Sequence, residues 1–179
     1  DKKIDIVFSS PFIRTKETAE IIANKIGYDV KKIIFENKIA EINAGIWNNK
    51  SFDDFIKFFD GKDRFVTAPE KGENYADIKK RVGDFIYDLE NKYKNKTILI
   101  ITHDTPMFLL RSVANGLNRE DSSKLRNEAN HYNDNAKPIK LDFHPLPHND
   151  EYEINLHRPF IDDLELISEK GNKLKRVPE

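Results

Sequence analysis

Cysteine is absent from this 179-residue chain, which excludes disulfides and thiolate metal sites and fits a cytoplasmic setting. Long apolar runs are also missing. None approaches the roughly 20 residues that a membrane-spanning helix needs, and the first residues do not read as a basic-then-apolar leader, so no membrane association is expected. Nor is there an excess of either charge. Lys+Arg number 30 against 31 Asp+Glu, a net charge of −1, so no overall field draws in nucleic acid or an anionic bilayer. Repeats, low-complexity tracts and Gly-rich phosphate loops do not occur. What the chain does hold is 12 Phe, 6 Tyr and several Ile-rich runs. These suffice for a core and exclude wholesale disorder. At roughly 150 residues per domain, the length describes one domain with a piece of another.

Hydrophobic spacing orders the chain. Residues 4–8 read as a short buried strand, and Ser9-Ser10-Pro11 as a helix start with Ser10 as cap and Pro11 in the first turn. The helix carries Phe12, Ala19, Ile22, Ala23 and Ile26 on one face and stops at Gly27. A second strand is expected at 32–35, a loop over 41–49, and a Phe-rich helix after Ser51. From Asn74 to Lys94, Tyr75, Ile78, Val82, Phe85, Ile86, Leu89 and Tyr93 step by three and four, as an amphipathic helix requires. The run Thr97–Ile101 predicts a strand buried on both faces. Helices are expected over 107–115 and 120–127. Strand, helix, strand, helix at these spacings means an α/β fold with a mostly parallel sheet. After residue 130 Asn and Pro crowd the chain, and Tyr152, Ile154 and Leu156 then alternate as a further strand.

Ligands in a parallel sheet sit beyond the carboxyl ends of the strands, and two such ends carry unusual residues. The first leads to Arg14 in the first turn of a helix, where free N–H groups and the dipole attract anions and a guanidinium adds a fork matched to phosphate oxygens. The second leads to Thr102-His103-Asp104, and a histidine there can donate to an anion or exchange protons. Alone, each reads equally as a solvated charge or a structural hydrogen bond. On the same sheet edge they favour an anion site.

Four blocks resemble the histidine phosphatase superfamily, the phosphoglycerate mutase-like fold: Asp5 to Glu20 with its Ser-Ser-Pro, Arg14 and Thr-Ala-Glu; Ile39 to Trp47 with Glu41 four residues before Gly45; Gly72 to Val82; and Ile98 to His103. The resemblance implies a three-layer α/β sandwich over about residues 4–115. It implies that Arg14 binds a phosphoryl group, that His103 stabilises its charge, and that Glu41 protonates the leaving oxygen. No cofactor or metal is expected for such a domain, and the partner would be a phosphorylated small molecule or a phosphoprotein. Glu73 reads as a helix-start charge and Arg81 as structural.

Departures from the family pattern are equally informative. The family's nucleophile is a histidine in an Arg-His-Gly segment at the end of the first, central strand, and no Arg-His-Gly occurs here. His131, His144, His148 and His157 all follow the matched blocks, and His144-Pro-Leu-Pro-His148 reads as a linker, since its prolines prevent a shared helical face. Asp104 replaces the usual Gly and joins the substrate-binding residues as a carboxylate that repels phosphate unless it turns away or is paired. The opening on Asp1 without Met suggests a chain that has lost its first strand and, with it, the nucleophile.

The last residues resemble a different family. Glu153 to Asp163, with His157-Arg158-Pro159, and the closing Arg176-Val177-Pro178-Glu179 are similar to class I isoleucyl-tRNA synthetase. Three segments are therefore expected: a phosphoglycerate mutase-like domain over 1–135, a linker over 136–150, and a short β-rich synthetase tail over 151–179. The implied parent is a ligase that uses ATP and tRNA at sites outside this chain. A stand-alone phosphatase or mutase, and a non-catalytic insert that contacts tRNA or another partner, are the alternatives.

Overall fold

The computed structural model describes residues 3–128, 138–141, 143 and 145–154. Its centre is a parallel sheet of three strands in the order β2-β1-β3, with β1 at Ile6–Ser9, β2 at Ile34–Phe35 and β3 at Ile98–Ile101. The register pairs Ile6 with Ile98 and Ser9 with Ile101, so β1 and β3 end side by side. Parallel neighbours need crossovers. Helix α1 (Ile13–Ile26) lies between β1 and β2, α2 (Phe52–Phe58) and α3 (Tyr75–Lys92) lie between β2 and β3, and α4 (Asp104–Ala114) and α5 (Arg119–Glu128) follow β3.

Strand alternation divides the core into two layers of contact. Val7 and Ile101 point to one face, where they pack with Ala19 and Ala23 of α1 and with Ile33. Phe8 points to the other, where it meets Phe85 edge-on at 5.4 Å and joins Ile78, Val82, Phe108 and Leu109 of α3 and α4. The result is the three-layer α/β sandwich expected of the sequence.

Local details differ from the sequence expectations in four places. Helix α1 starts at Ile13 with Phe12 as its cap residue, so Ser10 lies ahead of the cap, and its hydroxyl accepts the Phe12 N–H at 3.4 Å while meeting His103 at 2.8 Å. Of the expected apolar face of α1, Ala19 and Ala23 are buried while Phe12 and Ile26 are exposed. Helix α4 begins at Asp104 rather than Met107, since Pro106 lacks an N–H only where the first turn needs none. Strand β3 pairs with β1 alone among the described residues, and Ile98, Leu99 and Ile100 are only half-buried. A groove of about 370 Å³ runs along that open side, lined by Leu99, Ile100, Leu110, Ile139, Leu141 and Phe143 among others.

Tyr152, expected in the tail's strand, is buried against α3. A Cβ on Gly83 would lie 2.3 Å from its ring, and its hydroxyl donates to Asp84 at 2.5 Å. Ile154 donates its N–H to the Gly116 carbonyl at 3.1 Å and forms one isolated antiparallel bridge with His148, so no strand forms at 152–154. Leu156, His131, His144, His157, Arg158 and the rest of the synthetase-like segment lie outside the described residues. No described helix is long and apolar enough to cross a membrane.

Candidate active site

The sequence places Ser9-Ser10 immediately after β1 and Thr102-His103 immediately after β3. Because the two strands are in register, these segments meet. Ser10 donates its backbone N–H to Ile101 at 2.9 Å and is fully buried. The chain then turns outward through Pro11 and Phe12 into α1, which puts Arg14 over the same strand ends. Arg14 donates from Nε to Nδ1 of His103 at 3.1 Å. A nitrogen that accepts carries no proton, so His103 holds its proton on Nε2 and donates it to Ser10 Oγ at 2.8 Å. Phe12 packs edge-on against the imidazole at 5.1 Å and lies under the Arg14 guanidinium at 5.1 Å.

Burial, with the nearby cations Arg14 and Arg81, pushes His103 down from 6.5 to about 4. The imidazole is therefore neutral at neutral pH. Glu41 Oε2 lies 3.9 Å from Nδ1, the spacing of an ion pair, but with a neutral ring the contact is not one.

Glu41 reaches this point by a different route. A single 3-10 turn at Asn37–Ile39 buries Ile39 completely, and the Ile39 carbonyl accepts from the Thr102 hydroxyl at 2.7 Å, which ties the loop to the end of β3. Burial raises the Glu41 pKa above the usual carboxylate value, against the opposing pull of its own hydrogen bond from Ile42 N–H at 2.9 Å and of Arg14. Asp104 adds to the rise. Arg81, from α3, holds the loop from beneath. It donates from Nη1 to the Lys38 carbonyl at 2.7 Å and from Nη2 to the Glu41 carbonyl at 3.3 Å, while Nε and the same Nη2 grip Glu73. Glu73 in turn accepts from Asn43 N–H at 2.8 Å. Arg81 and Glu73 thus position Glu41, a more specific task than the structural roles their sequence positions suggest.

All four expected site residues come together here. Asp104 is the exception in kind. Its carboxylate is engaged by Arg126 of α5 through both terminal nitrogens, at 3.1 and 2.5 Å. Sequence reasoning did not single out Ser10, Phe12 or Arg126 for the site. Asp104 was the one available signal for Arg126, since a carboxylate at that position demands a cation. The arrangement offers a guanidinium for an anion, an imidazole with one proton to donate, and a carboxyl group held toward its protonated form. Together these can stabilise a transferring phosphoryl group and protonate a leaving oxygen.

Comparison with known proteins bears on the family and the fold. A family model described as histidine phosphatase superfamily (branch 1) matches residues 1–144. Phosphoserine phosphatase 1 of Hydrogenobacter thermophilus is 31% identical over 110 residues, which are 58% of this chain and 51% of that protein. Among solved structures, the alpha-ribazole phosphatase from Shigella flexneri superposes with a TM-score of 0.59 at 22% identity, over 69% of this chain and 63% of that one. YhfR of Bacillus stearothermophilus gives 0.57 at 23% identity, over 67% of this chain and 61% of that one. The chain thus spans about half the length of the curated relative and less than two thirds of these structures.

Proposed function

The chain belongs to the histidine phosphatase superfamily, and on that premise we propose that its site hydrolyses a phosphate monoester, of a small molecule or a phosphoprotein, in the cytoplasm. The observation that carries the reading is the meeting of Arg14, His103 and Glu41 within hydrogen-bonding or near-contact distance, 3.1 Å and 3.9 Å, at the ends of two adjacent parallel strands. Arg14 holds the phosphoryl oxygens, and His103 donates to them. Glu41, protonated, gives its proton to the alkoxide as the P–O bond to the leaving group breaks. The new P–N bond forms to a second imidazole, and water then cleaves it, its proton returning to the Glu41 carboxylate.

That second imidazole is proposed to come from a strand upstream of β1. Two observations support this. The open side of β3 has room and apolar walls for a neighbour. Among the described residues the only other histidine, His148, is stacked on Tyr152 and edge-on to Tyr87 rather than near the site. The synthetase reading, with its ATP and tRNA, rests on the sequence of the last 27 residues alone, and the family match ends ahead of them at residue 144. A stand-alone phosphatase is therefore the reading favoured here.

To test it, the full-length protein is assayed with phosphoserine, other alkyl monoesters and p-nitrophenyl phosphate, in wild-type form and as His103→Ala. Turnover in the wild type and a loss of about 100-fold or more in the variant is expected. No turnover of any monoester by the full-length protein would mean a non-catalytic module.

A further inference from the structure

We propose that Arg126 is a positioning residue of the phosphate site, which clamps Asp104 and so keeps a carboxylate's charge from opposing the bound anion. The inference rests on the phosphatase reading and adds to it a residue from α5, outside all four sequence blocks that carry the resemblance. Asp104 directly follows His103 and opens α4, so its carboxylate stands at the same strand ends as Arg14 and Glu41. Left alone it would cancel the charge that Arg14 presents. Glu73 already offsets Arg81, His103 is neutral and Glu41 tends toward its protonated form. With Asp104 paired, its carboxylate does not oppose the charge that Arg14 presents; freed from Arg126, it would add one unit of negative charge at the site.

The clamp is built to hold. Both terminal nitrogens of Arg126 engage the two Asp104 oxygens, the forked geometry that makes such pairs strong. The guanidinium also lies 5.3 Å over the ring of Phe108, which is fully buried. The two side chains are 28% and 35% exposed, so the pair is only partly screened. Arg126 is not the sole tie between its helix and α4, because Ser112 of α4 and Ser122 of α5 share a buried hydrogen bond at 2.5 Å. Substituting Arg126 should therefore change charge before it changes fold.

Two readouts test the clamp. One is the Kd of the full-length protein for inorganic phosphate by calorimetry. The other is the titration of the Glu41 carboxyl carbon by NMR, which reports Asp104 and Arg126 of α4 and α5 alongside Arg14 of α1, Thr105 of α4 and His103. Arg126→Met is expected to weaken phosphate binding by about tenfold and to move the Glu41 midpoint upward. In Asp104→Asn/Arg126→Met both readouts are expected to return close to wild type. A double variant as weak as the single one, or a single variant that leaves both readouts unchanged, would overturn the proposal. If no form binds phosphate, the phosphatase reading fails, and the Glu41 titration still decides whether the pair acts on the site.

Discussion

Glu41 decides the direction of proton flow at the site. Burial raises its pKa, so at a given pH more of it is protonated than of a surface glutamate, as a general acid requires. In the full-length protein, Glu41→Gln is expected to reduce kcat for an alkyl monoester such as phosphoserine by about 100-fold. The loss should be far smaller for p-nitrophenyl phosphate, whose phenolate leaves without a proton. For the wild type, kcat on the alkyl ester should fall as pH rises through the Glu41 pKa, because the acid is lost as it ionises. Equal losses on both substrates would remove Glu41 from this role. At this scale Arg14 and His103 were legible because each follows the end of a strand, and Glu41 only through the resemblance of its segment to the family. Ser10 and Phe12 were not, since their contacts with His103 depend on the register of Ser9 with Ile101, which no single segment encodes. Arg126 was hidden in a helix rich in charge, where nothing in the pattern separates it from Arg119 or Lys124.

Among the elements, α3 was the most legible. Its apolar spacing was read directly, whereas the reciprocal cap between Asn74 and Asp77 that opens it is shown by the structure. Strand β3 was half legible. An unbroken β-branched run reports that both faces meet apolar groups, but it says nothing of which edges are paired. The loop that carries Glu41 was legible only as a loop. In the structure its shape comes from a close backbone approach between residues 43–46 and 70–73, where Ile46 N–H donates to Glu70 O at 3.0 Å and Glu73 N–H to Asn43 O at 2.9 Å. Gly45 sits there at φ +57°, and a Cβ on it would lie 2.1 Å from Glu70 O. Gly45→Ala is therefore expected to cost about 2–3 kcal/mol or more and to lower activity by displacing Glu41. Gly27→Ala has the same sign of φ but open space around it, so it should cost only about 1 kcal/mol. Urea denaturation of the two variants, with kcat measured beside it, checks the difference.

Across the whole molecule, the two core layers and the parallel sheet follow from patterns visible in the sequence, but the extent of the core does not. A change of composition after residue 130 suggested a linker and then a separate tail. Yet Tyr152 lies in the same apolar cluster as Val82, Phe85 and Phe108. Its ring also stacks on His148 at 4.6 Å and meets Tyr87 at 5.0 Å. The reason is steric: Gly83 leaves a gap on the face of α3 that an aromatic ring fills, and a glycine in a helix does not announce its partner. Tyr152→Ala is expected to destabilise the domain by about 3 kcal/mol in a single thermal transition. A variant that melts like the wild type would place residues 148–154 outside the folding unit.

The account turns on Arg14 and His103 forming an anion site, and the imidazole nitrogens of His103 report it directly. Without an anion, ¹H–¹⁵N NMR at neutral pH should show a neutral ring protonated on Nε2, as the Arg14 and Ser10 hydrogen bonds require. Adding inorganic phosphate brings a negative charge beside the ring, which favours the protonated form. The His103 nitrogens should then shift saturably toward imidazolium, and Arg14→Ala should abolish the shift. A ring that ignores phosphate, or one that responds equally without Arg14, would contradict the account.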